Sequence, residues 1–253
     1  MSDSVINNVM PSTQTDPSTI FGALDHDVSR DELDALGLSN RSCCVLAAAR
    51  KGMGKTSALM NIMGSKAHWR RRFDAIFYVS PTAEREEKTK RLYKECQAEG
   101  NAFDTYSDAV IDHIIEVCSR NKADKKARYL CILDDCVNSL PQKRASKLAA
   151  LVMNSRHLGL SVYLATQAYN QVPLPIRKQM DVIMVWPTGN AREYESVLND
   201  VSVPEELFQY MYAAAMSRGP FSFLTINMCA HPIRFYAQFT PLPIPSLEEL
   251  AAV

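Results

Sequence analysis

The passage that most constrains this chain lies in its first quarter. There Ser42-Cys43-Cys44-Val45-Leu46-Ala47-Ala48 runs into Ala49-Arg50-Lys51-Gly52-Met53-Gly54-Lys55-Thr56, and that octet opens onto a helical stretch from Lys55 to Met63. A short apolar run reads as a buried strand. Gly52 and Gly54 give the backbone freedom that a tight loop needs. Strand, glycine-bearing loop and a helix beginning Lys-Thr together form the pattern G-x-x-x-x-G-K-[ST]. Its backbone amides make a nest for a β-phosphate at the positive end of a helix. Lys55 then reaches the β- and γ-phosphates, and the Thr56 hydroxyl meets Mg²⁺. The predicted nucleotide-binding segment is Ala49, Arg50, Lys51, Gly52, Met53, Gly54, Lys55, Thr56 and Ser57. Ala49 stands where the pattern has its first glycine, so the backbone there must suit a Cβ.

Apolar strands recur after this point, separated by helical segments. The expected strands are Ser42 to Ala48, Ala75 to Ser80, Tyr129 to Leu133, Leu160 to Thr166 and Val182 to Trp186. The expected helices include Lys55 to Met63, Glu84 to Glu99, Asp108 to Ser119 and Gln142 to Arg156. This alternation predicts an α/β fold with a parallel sheet covered on both faces. Phe221 to Met228 and Ile233 to Phe239 read as an antiparallel pair at the sheet edge. Asp31 to Gly37 reads as a short helix stopped by its glycine. Residues 1–19 read as a mobile tail, 20–240 as one ATPase domain and 241–253 as a Pro-rich tail that cannot continue a sheet.

Two further strand ends carry chemistry. Tyr129-Leu130-Cys131-Ile132-Leu133 is followed by Asp134-Asp135, and ligands of open α/β sheets sit at the carboxyl ends of their strands. Asp134 is the expected Mg²⁺ residue and Asp135 the expected general base toward the attacking water. A helix N-cap would account for one aspartate after a strand but not for two. Leu160-Ser161-Val162-Tyr163-Leu164-Ala165-Thr166 ends in Gln167, a candidate γ-phosphate sensor if the three tips converge.

Composition narrows the rest. Lys plus Arg and Asp plus Glu number 28 each, so bulk charge offers no argument for nucleic acid or an anionic membrane. The seven cysteines show no C-x-x-C spacing and read as reduced core residues of an intracellular protein. No signal peptide or membrane-spanning stretch is evident, which predicts a soluble chain. Trp69-Arg70-Arg71-Arg72 and the group Lys143, Arg144 and Lys147 are the basic clusters that DNA phosphates could use, solvated helix faces being the plainer reading of both.

In order along the chain, the octet at 49–56, Phe77-Tyr78-Val79-Ser80-Pro81-Thr82, Leu133-Asp134-Asp135, Ser155-Arg156-His157-Leu158-Gly159-Leu160-Ser161, Ala165-Thr166-Gln167 and Val172-Pro173-Leu174-Pro175-Ile176-Arg177 form a series. It resembles the genome-packaging ATPases of large DNA viruses and virophages, the poxvirus type within the FtsK/HerA group of motors. The resemblance covers about residues 42–240. It implies a RecA-like P-loop NTPase of the ASCE type, with a mostly parallel central sheet and the Thr-Gln strand between the other two motif strands. It implies hydrolysis of ATP with Mg²⁺, assembly of a homo-oligomeric ring of five or six subunits, and translocation of double-stranded DNA into a preformed capsid through a capsid or vertex protein. The places implied are the cytoplasm of the infected cell at viral assembly sites, or the virion itself. Lys55, Asp135 and Gln167 take catalytic roles, and Thr56 and Asp134 the metal. A ring also requires a cation from the adjacent subunit at the γ-phosphate; Arg177 is the preferred candidate and Arg156 the other. Two other functions fit a phosphate-binding loop. One is a nucleotide or nucleoside kinase, and the other a nucleotide-gated scaffold of the capsid vertex that binds without turnover.

Overall fold

The computed structural model describes residues 30–38, 42–64, 69–120, 127–136, 146–246 and 250. In chain order its elements are α1 (Arg30–Ala35), β1 (Cys44–Ala48), α2 (Lys55–Gly64), β2 (Ala75–Val79), α3 (Glu87–Ala98), β3 (Ala102–Phe103), α4 (Asp108–Arg120), β4 (Tyr129–Asp134), α5 (Lys147–Met153) and α6 (Ser155–Leu158). There follow β5 (Leu160–Thr166), α7 (Leu174–Arg177), β6 (Val182–Val185), α8 (Ala191–Val201), α9 (Glu205–Met216), β7 (Leu224–Asn227), β8 (Arg234–Ala237) and β9 (Thr240–Pro241). The strands join in one sheet in the order β3-β2-β4-β5-β1-β6-β7-β8-β9. From β3 to β6 every pairing is parallel. From β6 to β9 every pairing is antiparallel.

The parallel strands are apolar on both sides because both sides are covered. Leu46, Cys131, Leu133, Val162 and Leu164 face one cluster, which α4, α5, α8 and α9 close with Ile111, Leu148, Val197 and Phe208. Val45, Ala47, Leu130, Ile132 and Tyr163 face the other, closed by Leu59 and Ile62 of α2, Leu92 and Tyr93 of α3, and Trp69. Membership of the two clusters alternates along each strand with the period of two that a pleated strand imposes. The helix α2 departs from a one-sided stripe: Ala58, Leu59, Met60, Ile62 and Met63 are all buried, so it is enclosed between the sheet and its neighbours.

Several segments differ from their expected boundaries, three of them for a physical reason that the structure shows. The expected helix Glu84 to Glu99 begins only at Glu87, because a turn built on Thr82 O intervenes and Glu86 is extended. Of the expected helix Gln142 to Arg156, residues 142–145 lie outside the described residues. The remainder is α5, started by Ser146 Oγ accepting from Ala149 N at 3.1 Å, and α6, separated from it by Asn154. Pro241, expected to lie beyond the sheet, belongs to β9 and pairs with Tyr236. An edge strand tolerates proline because its missing N–H faces outward. Residues 1–19, expected as a tail, are outside the described residues.

Candidate phosphate-binding and hydrolytic site

The sheet order puts β5 between β1 and β4, so the loops after Ala48, Asp134 and Thr166 leave three adjacent strands at one edge. That adjacency makes a single crevice of motifs that lie far apart in sequence. The first wall is the loop from Ala49 to Gly54. Ala49 is buried, and its N–H donates to Thr166 O at 3.0 Å. The alanine therefore continues the strand ladder toward β5, a backbone that a Cβ tolerates. The left-handed positions fall instead on Gly52 (φ 82°) and Gly54 (φ 99°), where a side chain would be strained. Lys55 is buried, and its Nζ donates to Ala49 O at 2.7 Å, so the side chain folds back along the loop that surrounds it.

The second wall is acidic. Asp134 ends β4 almost wholly buried. Burial, reinforced by Asp135 and Glu86, raises its carboxyl to about 7, against the pull of the Lys55 cation. Burial also lowers Lys55, and Asp135, Asp134 and Glu86 oppose that. These four groups thus act on one another across the crevice. Asp135 has φ 52°, a left-handed backbone uncommon outside glycine, directly after the strand. The half-exposed Asp135 is the carboxylate that meets the third tip: Gln167 Nε2 lies 3.5 Å from its Oδ1. Thr166 takes no part in that approach, because its hydroxyl donates to Ala168 O at 3.1 Å and closes its own turn.

Glu86 escapes a reading of the sequence, where it looks like helix interior. It stands at the N-cap position of α3 without a side-chain capping bond, in the connection that follows β2, and β2 is the neighbour of β4. The signal that could have found it is Ser80-Pro81-Thr82 before it, a loop that delays the helix and leaves the carboxylate at the strand edge. Trp186 escapes it likewise. It follows β6, is buried, and its indole N–H has no acceptor among the described residues. That N–H lies 3.9 Å from where a Cβ on Gly54 would stand. An orphaned buried donor behind a glycine arch, a buried lysine and a carboxylate held near neutrality form a donor set suited to a phosphate chain with a divalent cation.

The two candidate arginines differ. Arg177 is 13% exposed; its Nε lies 3.3 Å from Asp200 Oδ2, and its guanidinium covers the Tyr169 ring at 4.9 Å. Tyr169 Oη donates to the same Asp200 oxygen at 2.9 Å. Arg177 thus packs against Asp200 and Tyr169 of its own chain, while its Nε and Nη1 are buried without a hydrogen-bond partner among the described residues. Arg156 has a side chain 75% exposed and is held by Asp181 Oδ1 at 3.2 Å. Asp181 also accepts from Cys44 N at 2.8 Å, which fixes this pair at the amino-terminal edge of the sheet, opposite the crevice. The seven-residue β5 separates the two edges by about 20 Å.

Of the basic clusters, Trp69 is buried with its N–H on Leu38 O, Arg70 is paired with Glu95, and Arg72 lies 3.9 Å from Asp34. That cluster therefore belongs largely to the packing. Lys143 and Arg144 lie outside the described residues, and Lys147 is bonded to Asp112 at 2.5 Å. Among the described residues no helix is long and apolar enough to cross a membrane.

Known proteins share this fold. The chain is 15% identical to the DNA-packaging ATPase B204 of Sulfolobus turreted icosahedral virus, with a TM-score of 0.55 over 76% of this chain and 96% of that one. The genome packaging NTPase B204 of Sulfolobus turreted icosahedral virus 2, solved in complex with AMPPCP, gives 16% identity and a TM-score of 0.54 over 78% and 97%. At that identity the likeness establishes a shared P-loop NTPase fold. The uncharacterized protein 015R of Frog virus 3 (isolate Goorha) is 21% identical over 169 residues, 65% of this chain. The chain spans about half the length of that curated relative. The family model described as Poxvirus A32 protein matches residues 38–213. Because that match runs through the phosphate loop, the acidic strand and the Gln167 tip, the chain belongs to the Poxvirus A32 protein family.

Proposed function

We propose that this chain is an ATP-hydrolysing motor that drives viral double-stranded DNA into a preformed capsid. The observation that carries the reading is the convergence of Lys55, Asp134, Asp135 and Gln167 at the ends of three adjacent strands. Family membership supports packaging as the task, and the packaging NTPases that share the fold point the same way.

The amides of residues 50–56 and the Lys55 ammonium hold the β- and γ-phosphates. Thr56 and Asp134 would hold Mg²⁺, which would neutralise charge on the phosphate oxygens. The Asp134 carboxyl, raised to about 7, would hold that cation in its ionised form. Asp135, on the solvent side, accepts the proton of the attacking water, and Gln167 orients that water from the neighbouring strand tip. Arg156 extends from the far edge of the sheet to the γ-phosphate of an adjacent subunit, where negative charge develops. The protein thus works as a homo-oligomeric ring of five or six copies. It contacts a capsid or vertex protein and acts at assembly sites in the infected cell.

The test is phosphate release against protein concentration, with and without duplex DNA. A steep rise with concentration and stimulation by DNA are expected. Turnover that is strictly proportional to concentration and indifferent to DNA would contradict the motor. Wild-type turnover in Lys55→Ala would contradict the enzyme.

A further inference from the structure

Beside the phosphate loop, toward the antiparallel strands, lies a cavity of about 550 Å³. Small-molecule clefts usually span roughly 300–1,000 Å³. One wall is the outer side of the loop and the first turn of α2, through Gly52, Gly54 and Ser57. A Cβ at Gly52 would meet nothing within 4 Å, so the loop leaves this wall open. The opposite wall is the connection from α9 to β7, with Arg218 and Phe221, joined by Gln238 from the turn between β8 and β9. The phosphate chemistry uses nothing on that second wall.

Its residues are nevertheless arranged for a flat polar ring. Phe221 is 61% exposed, an apolar area that water solvates poorly. Behind it, Phe223 is buried and stacked on Trp186 with centroids 4.2 Å apart. Trp186 carries the unpartnered N–H behind Gly54. That donor therefore lies behind the Phe223 wall of the cavity, beside the loop that grips phosphate. Gln238 has a left-handed backbone (φ 56°) with both polar groups fixed: its N–H donates to Phe223 O at 2.8 Å, and its carbonyl accepts from Thr225 Oγ1 at 2.6 Å. A backbone so held fixes where the side-chain amide starts from. Lys88 Nζ donates to Ser57 Oγ at 2.7 Å, which sets a cation where a phosphate chain would leave the loop.

We propose that this cavity seats the nucleoside and selects adenine, with Phe221 stacking on the base and the Gln238 amide pairing with its N6 and N7 edge. The inference rests on reading the loop as a nucleoside triphosphate site. An amide offers a donor and an acceptor together, which complements the N7 acceptor and N6 donor of adenine. Guanine presents two acceptors, N7 and O6, on the same edge and leaves the amide oxygen opposed. Stacking on an aromatic ring tolerates either base, so Phe221 supplies affinity and Gln238 supplies choice.

Titration calorimetry of the full chain with Mg²⁺ and each of ATP, GTP and inorganic tripolyphosphate tests this. The wild type should bind ATP at least tenfold more tightly than GTP or tripolyphosphate. Phe221→Ala should weaken ATP about tenfold and leave tripolyphosphate unchanged. Gln238→Leu should bring ATP and GTP to equal affinity. Phe221 is exposed, so its truncation leaves the fold intact even if Gln238→Leu does not. Wild-type affinity for ATP no greater than for tripolyphosphate would overturn the proposal, as would Phe221→Ala weakening both ligands equally. Tripolyphosphate binding that persists in Lys55→Ala would instead refute the phosphate loop, a separate failure.

Discussion

Replacing Asp134 by Asn should stabilise the ligand-free protein while abolishing turnover, and the stabilisation should depend on pH in a calculable way. The Asp134 carboxyl is raised from 3.8 to about 7, first by burial, then by Asp135 and Glu86. A raised carboxyl binds its proton more tightly folded than unfolded. Its contribution is therefore most favourable below the unfolded value near 4 and is lost as pH rises through 7. A gap of that size between folded and unfolded carboxyls corresponds to at most about 4 kcal/mol at pH 8, the pull of the Lys55 cation already included. Asparagine is nearly isosteric and carries no charge to desolvate. The assay is urea unfolding of both proteins, free of Mg²⁺ and nucleotide, at pH 5, 6, 7 and 8. The variant's advantage should grow from pH 5, level off above about 7, and reverse when Mg²⁺ and ATP are added, because only the wild type gains from the cation. A variant no more stable than wild type at pH 8, or an advantage independent of pH, would refute the reasoning.

Other substitutions separate folding from chemistry. Arg177→Ala should cost about 1–3 kcal/mol in urea unfolding, because Asp200 is left without its cation and Tyr169 without its cover. Arg156→Ala should leave thermal stability and nucleotide affinity near wild type and depress steady-state phosphate release at least a hundredfold at concentrations where the ring forms. Gly54→Ala should lower stability by roughly 1–3 kcal/mol in thermal unfolding, because φ 99° is strained for any side chain. The Cys229 thiol is pushed up to about 12 by burial and by its bond to Asp181. It should therefore alkylate more slowly at pH 8 than a free thiol, and Asp181→Asn should speed that reaction, read by mass spectrometry.

The parallel half of the fold was legible because each of its long strands is buried on both faces and so reads as an unbroken apolar run. Val45 to Ala48, Leu130 to Leu133 and Leu160 to Ala165 need no partner to be recognised. The strand β3 was not legible: two half-buried residues, Ala102 and Phe103, are held mainly by their neighbour β2. The site divides in the same way. Lys55, Thr56 and the two aspartates follow strands closely, so local order announces them. Glu86 and Trp186 belong to the crevice only because β2 adjoins β4 and β6 adjoins β1, and adjacency of that kind comes from the assembled sheet rather than from spacing in the chain.

The two arginines show why proximity to a motif strand is a weak guide to role. Both stand near β5, yet their chemistry follows from the carboxylate that each one meets. Asp200 is 12% exposed and draws Arg177 down onto Tyr169, so the ion pair is shielded and the guanidinium is not available outward. Asp181 is equally sheltered, but it already accepts the Cys44 N–H and the Cys229 thiol, and it meets Arg156 through one oxygen while the arginine remains in solvent. An exposed cation tethered by a buried, multiply bonded anion is oriented without being consumed. Such a side chain loses little further entropy on reaching a phosphate presented by another copy. The same tether places it at the edge of the sheet remote from its own crevice, so a catalytic use of Arg156 requires a second subunit.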